Sequence, residues 1–213
     1  MVTATRNTSD RKQEIVDVAV KLFLKRGVAQ TSMRDLAKAI GVTTGSLYHH
    51  FRSKDEIIDF VVQRGAKSVD RLMEFRRNLG NVSPTEALRE CLNYWLRHIH
   101  AARNYSVFWV REAHLIARSM YLQPIQKTTQ DFINFFTDLI NEGVKDGEFE
   151  VTNPALVAFN IWALAQEWGL RKWVRNMFTI DEFIEQQTGF IIKQISPGRV
   201  QANRMPYELG VNE

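Results

Sequence analysis

The chain has 213 residues, 45% hydrophobic and 24% charged, the balance of a globule with room for one large core or two small ones. Its most apolar stretch, "ALVAFNIWALA" from Ala155, is broken by Asn160 and falls short of the roughly 18 residues a membrane span needs. The net charge of +4 sits at one end: residues 1–54 carry ten Lys and Arg against four Asp and Glu, and the remainder is slightly acidic.

Such a basic segment on a near-neutral body points to a polyanion partner for that segment alone. The polar N-terminus "MVTATRNTSDRKQE" offers no apolar leader, so the expected location is cytoplasmic and no membrane partner is expected. A lone Cys91 leaves no internal disulfide or cysteine cluster, and neither metal nor cofactor is expected.

Helical periodicity runs through almost the whole chain, and no alternating strand pattern stands out. From Asp10 to Arg26, Ile15, Val18, Ala19, Leu22 and Phe23 recur at three- and four-residue spacing, with Gly27 as the stop. "SMRD" then reads as a capping box, Ser32 to Asp35, for a short helix with Leu36, Ala37 and Ile40 inside and Gly41 at its end. Thr43 caps a third helix that buries Leu47 and Phe51, and a second box, "SKDE" from Ser53, opens a long helix through Val61 and Val62.

Beyond residue 80 the helices lengthen and gain aromatics. "VSPTEAL" opens one with Ser83 as cap and Pro84 in the first turn; another is expected over 105–118. "QPIQKTTQDFINFFTDLINEG" should start at Pro124 and stop at Gly143. The last two are "NPALVAFNIWALAQEWGLRKWV" and, after "TIDE", "FIEQQTGFIIKQI". The tail from Pro197 has no apolar period. The expected fold is all-α with about nine helices: residues 1–54, a body over 55–196 and a tail over 197–213.

Two short helices joined by "GVT" and braced by the one before them fit a helix-turn-helix unit. Gly41 suits the turn, because a left-handed backbone costs a residue with a Cβ roughly 1–2 kcal/mol. With Val42, Leu47 and Phe51 facing inward, Thr43, Thr44, Gly45, Ser46, Tyr48, His49 and His50 are left outward in varying degree. Thr44 and Ser46 suit phosphate or base edges, and Gly45 lets a backbone approach closely. Lys54, Arg52 and the helix N-termini at Ser32 and Ser53 add positive potential. Tyr48 also fits a ring packed on the first helix with only its hydroxyl out, and His50 fits packing or capping.

The run "TSMRDLAKAIGVTTGSLYHHFRSKDEI" resembles the DNA-binding signature of TetR-family transcriptional regulators over residues 10–60, with the turn glycine, "LYHHF" and "SKDE" in register. The resemblance implies that Thr44 to Phe51 reads the major groove of a double-stranded operator. It maps phosphate contacts to Thr31 or Ser32, Tyr48 and Lys54, and base contacts to Thr43, Thr44, Gly45 and His49. Family members often carry a basic or polar side chain near position 33; here Met33 stands there and Arg34 is the nearest base.

One such helix reads few base pairs, so a homodimer is expected. The two C-terminal helices are its candidate surface, through Phe159, Trp162, Leu164, Trp168 and Leu170 on one and Phe183, Phe190, Ile191 and Ile195 on the other. The resemblance also implies a small-molecule effector site in the body. Trp95, His98, Phe108, Trp109, Arg111, Phe132, Phe136 and Trp162 are the candidate lining, large rings with few polar groups. Core packing accounts for the same rings equally well.

The expected activity is therefore that of a ligand-responsive repressor, released from its operator by a hydrophobic or amphipathic effector. An enzyme or a ligand-binding protein without a DNA role is the alternative. It would rest on Glu112 with His114 or Glu167 with His98, and no HExxH, GxSxG or glycine-rich phosphate loop accompanies either pair.

Overall fold

The computed structural model describes residues 8–112 and 122–198. Those residues form ten α-helices and no strand. Helices α1 (Thr8–Arg26), α2 (Met33–Ile40) and α3 (Thr44–His50) make a small unit at one end. The long α4 (Lys54–Asn78) leads from it into the body: α5 (Pro84–Ala101), α6 (Arg103–Arg111), α7 (Leu122–Lys145), α8 (Pro154–Leu170), the four-residue α9 (Lys172–Arg175) and α10 (Ile180–Ile195).

Local chemistry sets most helix starts. Ser32 and Asp35 close the expected capping box on α2, and the Ser32 hydroxyl and N–H hold the Asp35 carboxyl below its ordinary range. Gly41 ends α2 at φ 79°, where a Cβ would be strained. At α4 only half of the second box forms. Ser53 accepts from the Glu56 N–H at 3.2 Å, but Glu56 turns to the Arg52 N–H at 2.6 Å. "TIDE" makes a full box, Thr179 with Glu182, at the start of α10.

The expected starts of α6 and α7 shift by two residues, to Arg103 and Leu122, and two expected helix ends move for structural reasons. Gly143 does not stop α7; the helix runs on to Lys145, and Gly147 makes the turn at φ 73°. Gly143 serves packing instead, since a Cβ there would lie 2.1 Å from the Phe149 ring. The helix starting at Pro154 does not continue through Val174. It breaks at Arg171, because the Arg175 guanidinium caps its end by donating to the Trp168 and Gly169 carbonyls at 2.9 and 2.8 Å. The helix expected over 105–118 appears as α6 up to Arg111, and the rest of that span lies outside the described residues.

Gly143→Ala should therefore lower stability by about 1–3 kcal/mol, reversing the gain of up to about 1 kcal/mol that Gly→Ala brings inside an open helix. Gly65→Ala is the control: it is also inside a helix, with nothing within 4 Å of its added Cβ. Urea denaturation of the two variants should move in opposite directions.

Two cores share α4. The first buries Ile15, Phe23, Leu36, Leu47 and Phe51 with Ile57, Val61 and Phe108; the second runs from Val69 and Leu72 through Leu92, Phe132, Phe136 and Ile161 to Ile192. The two cores meet inside α4, which gives Val62 and the residues before it to the first and Val69 onward to the second. α6 joins the first core through Phe108, although it lies far along the chain.

Candidate nucleic-acid interface and ligand cavity

α3 has only seven residues and owes its helical state to its neighbours. Leu47 and Phe51 plug it into the first core, with Phe51 edge-on to Phe60 at 5.9 Å and the Lys12 ammonium 5.2 Å from its ring. Thr43 caps its N-terminus by accepting from the Ser46 N–H at 3.1 Å. The opposite face is left open: Tyr48 is 49% exposed, Thr43, Gly45 and His49 are exposed, and Thr44 and Ser46 are half-buried.

Gly45 has an ordinary helical backbone, and a Cβ there would meet only the Thr43 hydroxyl oxygen, at 4.0 Å. The fold itself does not require a glycine at this position.

Not all the sequence candidates lie on that open face. Thr31 is 1% exposed and its hydroxyl donates to the Gly27 carbonyl at 2.8 Å, so it braces the turn between α1 and α2 and cannot reach a phosphate. Ser32 is exposed, but its hydroxyl is engaged with Asp35. The half-buried Lys54 donates through Nζ to the Val28 carbonyl at 2.8 Å, which fixes the ammonium beside the motif. Arg34 is exposed. Lys12 and Arg52 border a shallow recess with Tyr48, His49, His50 and Glu56, so the basic rim includes Lys12 from α1. Sequence spacing gave no sign of that neighbour, because it comes from a different helix.

In the body, a cavity of about 530 Å³ opens between α4, α5, α6, α7 and α8. Trp95, His98, Trp109, Phe132 and Trp162 line it, five of the eight expected residues. The other three do not. Phe108 is buried in the first core, 5.9 Å from Phe23; Phe136 is buried in the second, against Phe132 and Phe135 at 4.8 and 5.1 Å. Arg111 is exposed and donates to the Leu24 carbonyl. Helical phase is the reason: on α6, Tyr105, Ser106 and Trp109 face the cavity, which turns Phe108 and Arg111 toward α1.

Burial, reinforced by the charges of Arg64 and Arg71, holds His98 below the usual imidazole range, so it is uncharged at neutral pH. The Trp95 Nε1–H is buried without an acceptor among the described residues. Glu167 stands at the rim, paired with Arg171 at 2.7 Å. The cavity also contains Arg64, which sequence reasoning missed: an arginine on a long, charged helix carries no sign of facing inward. His114 lies outside the described residues.

Among the described residues no group of three or more His, Cys, Asp or Glu could hold a metal ion. None of the helices found there is long and apolar enough to cross a membrane. The expected dimer residues divide: Phe159 and Phe190 are exposed, whereas Trp168 stacks on Phe183 at 4.1 Å and, with Ile191 and Ile195, is buried within the body. Those three are core and are not free to pair with a second copy.

Comparison with known proteins agrees with this architecture. Residues 15–60 match a family model described as bacterial regulatory proteins, tetR family, and residues 81–176 match a tetracyclin repressor-like C-terminal domain. The chain is 28% identical over 192 residues to the HTH-type transcriptional repressor KstR2 of Rhodococcus jostii, covering 88% of this chain and 92% of that one. The structure of the ketosteroid transcriptional regulator KstR2 of Mycobacterium tuberculosis superposes with a TM-score of 0.72 at 24% identity, covering 93% and 98%. That of AibR in complex with isovaleryl coenzyme A and operator DNA gives 0.69 at 18%, covering 84% and 97%.

Proposed function

The chain belongs to the TetR family of transcriptional regulators, DNA-binding proteins and not enzymes, and from that premise we propose that it represses transcription as a homodimer on a palindromic operator. The observation that carries this reading is α3. Buried Leu47 and Phe51 hold it, while Thr44, Gly45, Tyr48 and His49 remain for a partner outside the chain. A glycine that the fold does not need suits a groove edge that must come close to the backbone.

In this reading Thr43, Thr44, Gly45 and His49 meet bases. Tyr48, Ser46, Arg34 and the tethered Lys54 meet phosphate, with Lys12 and Arg52 on the rim. Residues through 54 form the DNA-binding unit, and the rest forms the sensor and dimer body. The exposed apolar side chains Leu156 and Phe159 of α8 and Phe190 of α10 are the proposed pairing face.

The cavity is the proposed effector site. AibR, of the same fold, is seen with an acyl thioester and operator DNA together, which supports a two-site regulator here. Effector in the cavity displaces α4, the helix common to both cores, and changes the spacing of the paired α3 helices. It acts only as far as it binds the two spacings unequally, typically by about 1–3 kcal/mol.

Selection of bound fragments from genomic DNA should yield the operator, and fluorescence anisotropy then tests the face. Tyr48→Ala should weaken operator binding about tenfold with the melting temperature unchanged, since a charge-assisted bond contributes about 1.5–3 kcal/mol. Raising salt from 50 to 200 mM should weaken wild-type binding by at least about a thousandfold if six or more phosphates are neutralised. Binding indifferent to both would remove α3 from the interface.

A further inference from the structure

Gln13 and Asp17 of α1, Arg64 of α4 and Tyr105 of α6 form one polar cluster at the wall of the cavity. Arg64 Nη1 donates to Asp17 Oδ1 at 3.2 Å and to the Tyr105 hydroxyl at 2.7 Å, and that hydroxyl donates to the same carboxylate oxygen. Gln13 Nε2 donates to both partners, at 3.2 Å to Asp17 and 3.1 Å to Tyr105. The guanidinium carbon also lies 4.5 Å from the Tyr105 ring centre. Arg64 and Tyr105 line the cavity; Asp17 and Gln13 stand behind them on α1.

Three features of this cluster bear on what the cavity takes. Arg64 is the only lysine or arginine among the described lining residues, and the side chains it stands among there are largely apolar. It and the Tyr105 hydroxyl already converge on one carboxylate oxygen, an arrangement any other carboxylate can use. Asp17, the present occupant, has a side chain 45% exposed to water, so solvent can take over its charge if the guanidinium leaves.

Resting on the reading of this cavity as the effector site, we propose that the effector is an amphipathic anion, an apolar body with one carboxylate, whose head takes Arg64 and Tyr105 from Asp17. The exchange loosens α1 from α4 and α6. Because α1 packs directly on α2, the change reaches the DNA-binding unit by contact.

Decanoate and decanol, alike in length and different in the head, test this on the full chain. Binding is followed by the fluorescence of Trp95, Trp109 and Trp162, which line the cavity. Decanoate should bind. Arg64→Met should weaken it about tenfold or more while leaving decanol unchanged. Asp17→Ala, at a half-exposed helical position that tolerates alanine, should strengthen it because the competing carboxylate is gone.

Hydrogen exchange should show α1 amides exchanging faster when decanoate is added to the wild type, and already fast in Asp17→Ala without it. Equal binding of both probes, indifferent to both substitutions, would overturn the inference and leave the cavity reading standing. Decanol binding without decanoate binding would overturn the inference alone, and failure of both probes to bind the wild type would remove the cavity reading and this inference with it. Decanoate binding that depends on Arg64 but leaves α1 exchange unaltered would overturn the exchange of partners.

Discussion

Phe51→Ala should destabilise the DNA-binding end by about 3–5 kcal/mol and abolish operator binding with it. The ring is 1% exposed, sits edge-on to Phe60, and lies in the core shared by α1, α2, α3 and the start of α4. Phe51 is also where α3 ends: its backbone is extended, at φ −142° and ψ 122°, and its N–H closes the helix on the Leu47 carbonyl. Truncation leaves a cavity where the seven-residue helix is anchored, and a helix that short is not stable alone.

Since whole-protein stability is commonly about 5–15 kcal/mol, the loss should show as an early transition in thermal unfolding followed by circular dichroism. The contrast with Tyr48→Ala is the informative part. One ring anchors the helix and the other faces outward, so the first substitution should lower stability and DNA binding together, the second DNA binding alone. Wild-type stability in Phe51→Ala would mean that α3 is held by contacts other than these.

If the proposed pairing face is right, the double substitution Phe159→Glu and Phe190→Glu should convert the proposed dimer into a folded monomer. Both rings are largely solvent-exposed in the single chain, 46% and 58%, so charging them leaves no buried charge in the monomer and should cost little stability there. Across a twofold axis the same charges would be desolvated and set against their own copies. Losing the second α3 removes the avidity of two linked half-sites, and operator affinity should fall by roughly 10²–10⁴-fold. Sedimentation velocity on the two proteins decides the first point, and anisotropy on the operator the second. A double variant that stays dimeric would move the pairing face elsewhere, with exposed Trp173, Met177 and Phe178 around α9 as the next apolar surface.

The motif was legible because its determinants are local: the Ser32–Asp35 box, Gly41 at φ 79° and the Thr43 cap each act within a few residues. Spacing of Leu36, Leu47 and Phe51 likewise showed which face of each short helix would be covered. Thr31 escaped the same reading. Whether a threonine hydroxyl meets a phosphate or a backbone carbonyl four residues away depends on the turn's path, and pattern alone does not show it.

In the body the aromatics were found and their roles only partly. Trp109 and Phe108 are neighbours in sequence, yet one lines the cavity and the other fills the first core, because 100° of helical rotation separates them. Gly143 reads as a helix stop until Phe149 folds back over it.

From the sequence alone came the all-helical class, the helix-turn-helix unit, the residue types on its outer face and the absence of a recognisable catalytic motif. These follow from hydrogen bonds and steric limits that span a turn or two of backbone. Tertiary structure alone decided which rings enclose the cavity, that α4 serves two cores, and that Arg64 faces inward to Asp17, 47 residues away in the chain. Such pairings depend on the rotation and crossing of packed helices, which the global fit of side chains determines and no local window of sequence contains.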